Sequence, residues 1–277
     1  MAGVSMCMST SPMTADSQSP LRKDLALEPE MHQPEGTVDD VDNIWSIYID
    51  IDGFSPLWSD KVRVVSALGD LMTGVFRLGT ICYPEPPERL FAYQLGDGFL
   101  VASDFHESSL ERCLVIAVAL MRHVASSGCF ARAAIAEGDL ADIQGCYPRE
   151  VMNHCDGGHR VYLGSGILVI APVMGSALIA AVGVDKRAPC GPLLSIEADN
   201  VQRLGSSVAT RLVADGQLAA IDWVHLDSPF LTKVQAAAGL AAPSPSDLEA
   251  MLASYCVEES VPDEWRASVR DLLGVPV

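Results

Sequence analysis

The chain has 277 residues, of which 49% are hydrophobic, enough to form the core of one large domain with extensions. Its formal net charge of −18 argues against nucleic acid and anionic membranes as partners, since both require basic patches. None of the eight cysteines belongs to a Cys-x-x-Cys pair and residues 1–43 hold no apolar signal segment, so free thiols and a cytoplasmic location are expected.

Composition divides the chain into three predicted segments. Residues 1–43 are polar and contain many Pro, Ser and Met residues, which predicts a disordered leader. Residues 44–202 form the predicted catalytic domain. Residues 203–277 are predicted to be helices that carry no chemistry, a packing or dimer-supporting extension. Ser246, with Glu249 three residues later, predicts the capping box of one of these helices.

The order of elements after residue 44 is strand, helix, strand, strand, helix, strand. This order is typical of an α+β, ferredoxin-like fold. The predicted elements are Trp45–Ile51, Pro56–Leu78, Leu90–Leu95, Phe99–Ser103, Leu110–Ser126, Ala131–Ala136 and a further strand at Leu193–Glu197. The apolar face of the first helix is predicted to be Val62, Val65, Leu68, Leu71, Met72 and Val75. The core positions of the second helix are predicted to be Leu114, Ala117, Val118 and Met121.

Two aspartates interrupt predicted strand ends. The run Ile47–Ile51 is apolar except for Asp50, and Asp97 stands in the hairpin turn that precedes Phe99–Ser103. Aspartate is a poor strand former and is costly to bury unless a cation or hydrogen bonds compensate. The two carboxylates are therefore predicted to meet over Mg²⁺ or Mn²⁺, which prefer hard oxygen ligands.

Three motifs, in the right order, resemble those of the class III nucleotide cyclases. That family has a strand ending in Asp-Ile-x-Gly-Phe-Ser/Thr, a hairpin Gly-Asp-x-x-x-Ala, and an Arg-x-Gly-Ile-x-x-Gly strand after the next helix. The similar segments, within residues 44–200, are Asp50-Ile51-Asp52-Gly53-Phe54-Ser55, Gly96-Asp97-Gly98-Phe99-Leu100-Val101-Ala102 and Arg132-Ala133-Ala134-Ile135-Ala136-Glu137-Gly138.

The resemblance implies a lyase that binds a nucleoside triphosphate and forms its active sites across a homodimer. Asp50 and Asp97 would be the catalytic metal ligands, and the carbonyl of Ile51 would complete the shell of two Mn²⁺ or Mg²⁺ ions per site. The ribose 3′-hydroxyl would attack the α-phosphorus in line, and pyrophosphate would leave. The segment Gly53-Phe54-Ser55 would bind phosphate, because free N–H groups and the helix dipole lie between strand and helix.

The chain departs from the purine-specific members of that family. Those enzymes carry Lys or Glu four residues before the second metal aspartate, where this chain has Tyr93. They also carry an Asn and an Arg on the helix after the last core strand, and the segment aligned with it, Leu168–Met174, has neither. The sequence looks more like the pyrimidine cyclases of bacterial anti-phage systems, which make cyclic UMP or cyclic CMP to activate an effector. UTP is the expected substrate.

Two residues have alternative interpretations. Tyr93 either stacks on the small base or is an inward aromatic of a strand. Arg132 either contacts phosphate or base, or pairs with a nearby acid. The non-enzymatic alternative is a degenerate cyclase-like or GGDEF-like fold that serves as a sensor or interaction module. A diguanylate cyclase is disfavoured because the turn around Asp97 lacks a second glycine and a glutamate. A haloacid-dehalogenase-type phosphatase would need a lysine, and none lies between Lys61 and Lys186.

Two further segments have competing structural interpretations. Residues 154–159, with two histidines, a cysteine and an aspartate, resemble a zinc site, but the Gly-Gly pair beside the aspartate favours a turn. Residues 161–184 hold no charge and are long enough to span a bilayer. Their glycines and Pro172, without flanking aromatic and basic belts, favour strand–turn–helix within a domain or at a subunit interface instead.

Overall fold

The fold is described from a computed structural model. It covers residues 44–53, 60–82, 90–103, 110–139, 141–142, 151, 153–156, 160–163, 165–169, 173–259 and 261–274. The predicted leader, residues 1–43, and the pair Phe54-Ser55 lie outside these ranges.

Strands and helices alternate in the first part of the chain, and helices dominate its end. The strands of the described part are β1 (Ile44–Ile51), β2 (Leu90–Leu95), β3 (Gly98–Ser103), β4 (Ala131–Gly138), β5 (Ala141–Asp142), β6 (Cys155–Asp156), β7 (Arg160–Leu163), β8 (Gly166–Val169), β9 (Val173–Met174), β10 (Leu194–Glu197), β11 (Thr210–Val213) and β12 (Leu218–Ile221). The α-helices of the described part are α1 (Lys61–Arg77), α2 (Glu111–Ala125), α3 (Ser176–Arg187), α4 (Pro229–Ala238), α5 (Pro245–Glu258) and α6 (Asp263–Leu273).

A seven-stranded sheet of order β11-β12-β10-β4-β1-β3-β2 organises the fold. Within it, the pairs β4–β1, β1–β3 and β3–β2 are antiparallel. With α1 and α2 as connections, this is the predicted ferredoxin-like order, so the α+β prediction is confirmed. The strand β10 joins β4 in parallel after α3, and the antiparallel strands β12 and β11 extend that edge.

Alternation along β1 separates the two faces of the sheet. Ile47, Ile49 and Ile51 are buried in the main hydrophobic core with residues of α1 and α2. The residues between them point to the opposite face. There α3 packs, and the Ser46 hydroxyl donates to the Ala177 carbonyl at 3.2 Å. The core positions predicted on α2 are buried, as expected: Leu114, Ala117, Val118 and Met121.

The apolar face predicted for α1 is wrong in part. Leu71 and Val75 are buried as predicted, whereas three of the predicted core residues are exposed: Val62, Val65 and Met72. The helix instead turns a face with small residues toward α2. A Cβ built on Gly74 would lie 2.8 Å from Leu120 Cδ2, so the glycine permits close approach of the two helices. Side-chain size, rather than hydrophobicity alone, orients α1.

The uncharged stretch 161–184 is not one helix. Its described residues lie in β7, β8, β9 and α3, with Ser165 and Gly175 between them, so it contains strands, a turn and a helix as predicted. Elsewhere in the described part, the helical stretch Lys61–Cys82 meets the length and composition criteria for crossing a membrane, as core helices of soluble proteins also do. The strands β6 and β7 pair antiparallel, as the predicted turn near residues 154–159 requires. Residues 157–159 lie outside the described ranges, and the described residues contain no cluster of three potential metal-binding side chains.

The C-terminal part contains the expected helices, but the prediction of helix throughout residues 203–277 is wrong. Residues 210–221 form the hairpin β11–β12, and β12 is buried in the sheet. The capping box of α5 begins at Ser244 and closes at Asp247, not at Ser246 and Glu249. Pro245 explains the difference, since proline is favoured at the first helical position.

Candidate active site

The site is built around Asp50, near the carboxyl end of β1. In the strand register, Asp50 lies opposite Gly98 on β3 and opposite Arg132 on β4. Since Ile49 and Ile51 enter the core, Asp50 points to the face of the sheet on which α3 packs. Its Oδ1 atom is buried and has no hydrogen-bond partner among the described residues. Such an orphaned carboxylate oxygen is expected where a ligand binds.

Asp97 lies at the same end of the sheet as Asp50. It occupies the turn between β2 and β3, directly before Gly98, and Gly96 in the same turn has a φ of 70°. The pKa of Asp50 is raised to about 7, mainly by burial; the charges of Asp185 and Asp97 contribute to the rise, and the charge of Arg132 opposes it. The two predicted metal aspartates are therefore close enough for the charge of one to act on the other.

The gap between β3 and β1 beside Asp50 is too narrow for a side chain at position 98. A Cβ built on Gly98 would lie 2.8 Å from both the Asp50 Cβ and the Ile49 carbonyl oxygen. No real side chain tolerates two such contacts with a neighbouring strand. The glycine of the hairpin motif is thus required by the close approach of β3 to β1.

Arg132 pairs with an acid, which is one of the two alternatives for this residue. Its Nε donates to Oδ1 of Asp185 at 2.7 Å, and a terminal nitrogen donates to the Asp185 carbonyl at 2.6 Å. Asp185 lies on α3, whose first turn packs so closely on Gly138 that a Cβ there would collide with the main chain of Ala177. No sequence pattern had singled out Asp185.

Tyr93 lies on the same face of the sheet as Asp50. It pairs with Leu100 on β3, which in turn pairs with Tyr48 on β1. Adjacent strands are about 4.8 Å apart, so the Tyr93 backbone lies about 10 Å from β1. Tyr48 was missed from the sequence, although its position two residues before Asp50 places it on the Asp50 face. Burial raises the pKa of Tyr48, and the charge of Asp50 adds to that effect.

The turn after β1 is anchored by a buried side chain. Gly53 has a φ of 70°, which favours glycine, while Asp52 is buried and accepts a hydrogen bond from the indole of Trp265 on α6. Burial raises the pKa of Asp52, and the Trp265 hydrogen bond and the Arg132 charge oppose that rise. Phe54 and Ser55, the other predicted phosphate ligands, lie outside the described residues.

The chemistry of the donor set fits a divalent cation. Asp50 and Asp97 offer carboxylates, and Ile51, whose side chain is buried in the core, can offer only its main-chain carbonyl. Three His, Cys, Asp or Glu side chains do not cluster in a metal-binding arrangement within the described ranges. Mg²⁺, however, is usually held by one or two carboxylates together with substrate phosphates and water. The orphaned Oδ1 of Asp50 is consistent with that kind of site.

The helix that precedes β10 lacks the expected asparagine, and its arginine is engaged in an ion pair. That helix is α3, so the predicted alignment of residues 168–174 with it is wrong: Gly166–Val169 is strand β8. The sequence of α3 contains no asparagine. Its arginine, Arg187, pairs with Glu197 on β10.

No protein-family model matches the sequence, and no curated protein matches it. Among solved structures, a bacterial light-regulated adenylyl cyclase is similar with a TM-score of 0.39 and 10% identity, covering 71% of this chain and 56% of that one. The dimeric guanylyl cyclase domain of the RhoGC fusion protein from the aquatic fungus Blastocladiella emersonii is similar with a TM-score of 0.41 and 11% identity, covering 65% of this chain and 94% of that one. At such scores and identities the similarity assigns no family to this chain.

Proposed function

We propose that this chain is a metal-dependent nucleotidyl cyclase that converts a pyrimidine nucleoside triphosphate, UTP in preference to CTP, into the 3′,5′-cyclic monophosphate and pyrophosphate. The observation that supports the proposal is the position of Asp50 and Asp97 at one end of the sheet, where Asp50 has an orphaned buried oxygen. The three sequence motifs support it independently. We also propose that the enzyme acts in cytoplasmic anti-phage signalling, in which its cyclic product activates an effector.

Different residues of the chain would bind the metal ions, the phosphates and the base. Asp50, Asp97 and the Ile51 carbonyl would hold two Mn²⁺ or Mg²⁺ ions, which when bound lower the pKa of the ribose 3′-hydroxyl and stabilise the triphosphate. Gly53, in the turn after β1, would offer its main-chain N–H to phosphate. Tyr93 would border the base and leave room for a single ring.

Arg132 would contact the triphosphate only after giving up part of its bonding to Asp185. The bidentate contact between them uses a side-chain and a main-chain oxygen of Asp185. An incoming phosphate offers the guanidinium a comparable set of acceptors. If phosphate replaced Asp185 as the acceptor, the positive charge of Arg132 would lie close to the negative charge that develops on the phosphate.

A head-to-tail homodimer with two equivalent sites completes the proposal. The hairpin β7–β8, most of which lies in the uncharged stretch 161–184, exposes several large apolar residues: Tyr162, Leu163, Ile167, Leu168 and Val169. Exposed apolar patches of this kind commonly mark interfaces. Light scattering at working concentration should give a dimer mass, and a fully active monomer would contradict this part of the proposal.

The competing function is a degenerate cyclase-like or GGDEF-like sensor, which the missing asparagine on α3 favours. Incubation with each of the four nucleoside triphosphates and Mn²⁺, followed by mass spectrometry, separates the two. We expect cyclic UMP from the native chain and at least about 100-fold less from Asp97→Ala, whose fold should be intact. No cyclic product from any triphosphate would refute the enzyme, and equal turnover of ATP and UTP would refute the pyrimidine preference alone.

A further inference from the structure

The turn that follows β1 is held from the far end of the chain. The indole Nε1–H of Trp265, on α6, donates to Oδ2 of Asp52. Both residues are buried, with 6% of Asp52 and 3% of Trp265 exposed. Aspartate is almost never this buried without a partner, so the indole contact is part of what allows a carboxylate at this position.

Asp52 stands between two residues assigned to the site. Its main-chain N–H donates to the Phe130 carbonyl at 2.8 Å, and Gly53 follows it with a φ of 70°. Ile51 directly precedes it. Because both the main chain and the carboxylate of Asp52 are anchored, the directions of the Ile51 carbonyl and the Gly53 N–H are constrained together.

Ring packing accounts for the presence of an aromatic residue at position 265, but not for its N–H. The Trp265 ring lies 5.2 Å from the Tyr255 ring and 6.4 Å from the Phe130 ring, measured between centroids. A phenylalanine would keep most of these contacts. The N–H is the part of the indole that acts on Asp52, and it is the part that phenylalanine lacks.

The same helix contacts the segment after α3. A Cβ built on Gly191 would lie 3.1 Å from the Ser268 Cβ, so α6 packs directly on this connection to β10. The helix α6 therefore contacts both the turn after β1 and the connection between α3 and β10.

We infer that Trp265 is a positioning residue of the nucleotide site: its hydrogen bond to Asp52 holds the turn after β1 in the conformation that binds the triphosphate. This role rests on the proposed function. From the sequence, residues 203–277 were expected to be only a packing or dimer-supporting extension. A positioning role for Trp265 goes beyond that expectation.

The test compares Trp265→Phe with Trp223→Phe. Trp223 is a matched control because its ring is also buried and its Nε1–H donates to the Pro192 carbonyl at 2.7 Å, without contact to Asp52. We expect Trp265→Phe to raise the KM for UTP about tenfold, with a smaller fall in kcat. It should also speed hydrogen–deuterium exchange in the peptide that contains residues 51–53. Trp223→Phe should lose stability without either effect.

Asp52 variants provide a second route if Trp265→Phe does not fold. Asp52→Asn keeps an oxygen that accepts from the indole, whereas Asp52→Ala does not. We expect Asp52→Asn to retain the native KM and exchange rate, and Asp52→Ala to match Trp265→Phe. The double variant Asp52→Ala with Trp265→Phe should be no worse than either single one, since both remove the same interaction.

Equal KM and equal exchange of the 51–53 peptide in Trp265→Phe and Trp223→Phe would overturn the inference, as would an Asp52→Asn protein that behaves like Asp52→Ala. Failure of the proposed function looks different: the native chain would make no cyclic product from any triphosphate. The exchange comparison needs no turnover, so unchanged exchange in Trp265→Phe overturns the positioning role even then.

Discussion

Asp50 and Arg132 are direct partners across the β1–β4 ladder, yet the hydrogen bonds of the Arg132 guanidinium go to Asp185. The positive charge therefore partly offsets the surrounding acids, while the Oδ1 atom of Asp50 has no hydrogen-bond partner in the described part of the chain. An acidic site arranged in this way can accept a cation without first breaking an ion pair of Asp50.

The metal-free protein should become less stable as the pH rises from about 4 to about 7, with little further loss from Asp50 above that range. Burial raises the pKa of Asp50 to about 7, so between about pH 4 and pH 7 the unfolded chain loses this proton while the folded chain keeps it. Asp50→Asn, which stays neutral, should be more stable than the native chain by about 2–4 kcal/mol at pH 8. Urea unfolding with a chelator present measures this.

The same comparison at about pH 4 provides the check, because both proteins are then neutral at position 50 and should be almost equally stable. Asp199→Asn, at an exposed aspartate, is the control and should show little change. A stability gain for Asp50→Asn that is the same at both pH values would contradict the raised pKa.

Two glycines should respond in opposite ways to the same substitution. Gly98→Ala places a methyl group against β1 and should cost about 1–3 kcal/mol, with loss of any metal-dependent activity. Gly69→Ala lies in the middle of α1, where a Cβ would meet no atom within 4 Å apart from its chain neighbours and the backbone of its own helix. This substitution should stabilise the protein by about 0.5–1 kcal/mol. Thermal unfolding measures the stability of both variants against the native protein. A Gly98→Ala protein that is more stable than the native one would mean that β3 does not approach β1 this closely.

Tyr93 should set the preference for a single-ring base. Removal of its ring by Tyr93→Ala should lower kcat/KM for UTP about tenfold and narrow the gap between UTP and ATP. Tyr93→Phe keeps the ring and should preserve the rejection of ATP. Discrimination that is unchanged in Tyr93→Ala would assign this tyrosine a packing role with Leu100 and its neighbours.

A surface histidine should add stability only at low pH. Nε2 of His225 lies 2.8 Å from Oε1 of Glu249, and Nδ1 of His225 lies 2.8 Å from Oδ2 of Asp222. The hydrogen bond to Glu249 is the largest cause of the raised pKa of His225. The stabilisation is complete below the ordinary histidine value of about 6.5 and disappears as the pH rises through the folded-state value. His225→Gln should therefore lower the Tm more at about pH 5.5 than at about pH 9, and about 1 M salt should weaken the difference.

Local pattern was sufficient to predict the strands around Asp50, but not the side-chain contacts between distant segments. Alternating apolar residues predict the face that Asp50 occupies, and the hairpin register places Asp97 at the same end of the sheet. The ion pair of Arg132 with Asp185 and the hydrogen bond of Trp265 to Asp52 join segments far apart in the chain. Nothing in the local sequence marks such pairs, because each residue is ordinary for its own helix or strand.

The two residues joined by the indole hydrogen bond, Asp52 and Trp265, are 213 positions apart. At synthesis rates of about 5–20 residues per second, the strand β1 leaves the ribosome about 10–40 seconds before the helix that secures its turn. A nascent or prematurely terminated chain would therefore carry Asp50 and Asp97 without the hydrogen bond that holds the turn after β1. That turn reaches its final conformation only after α6 has been synthesised.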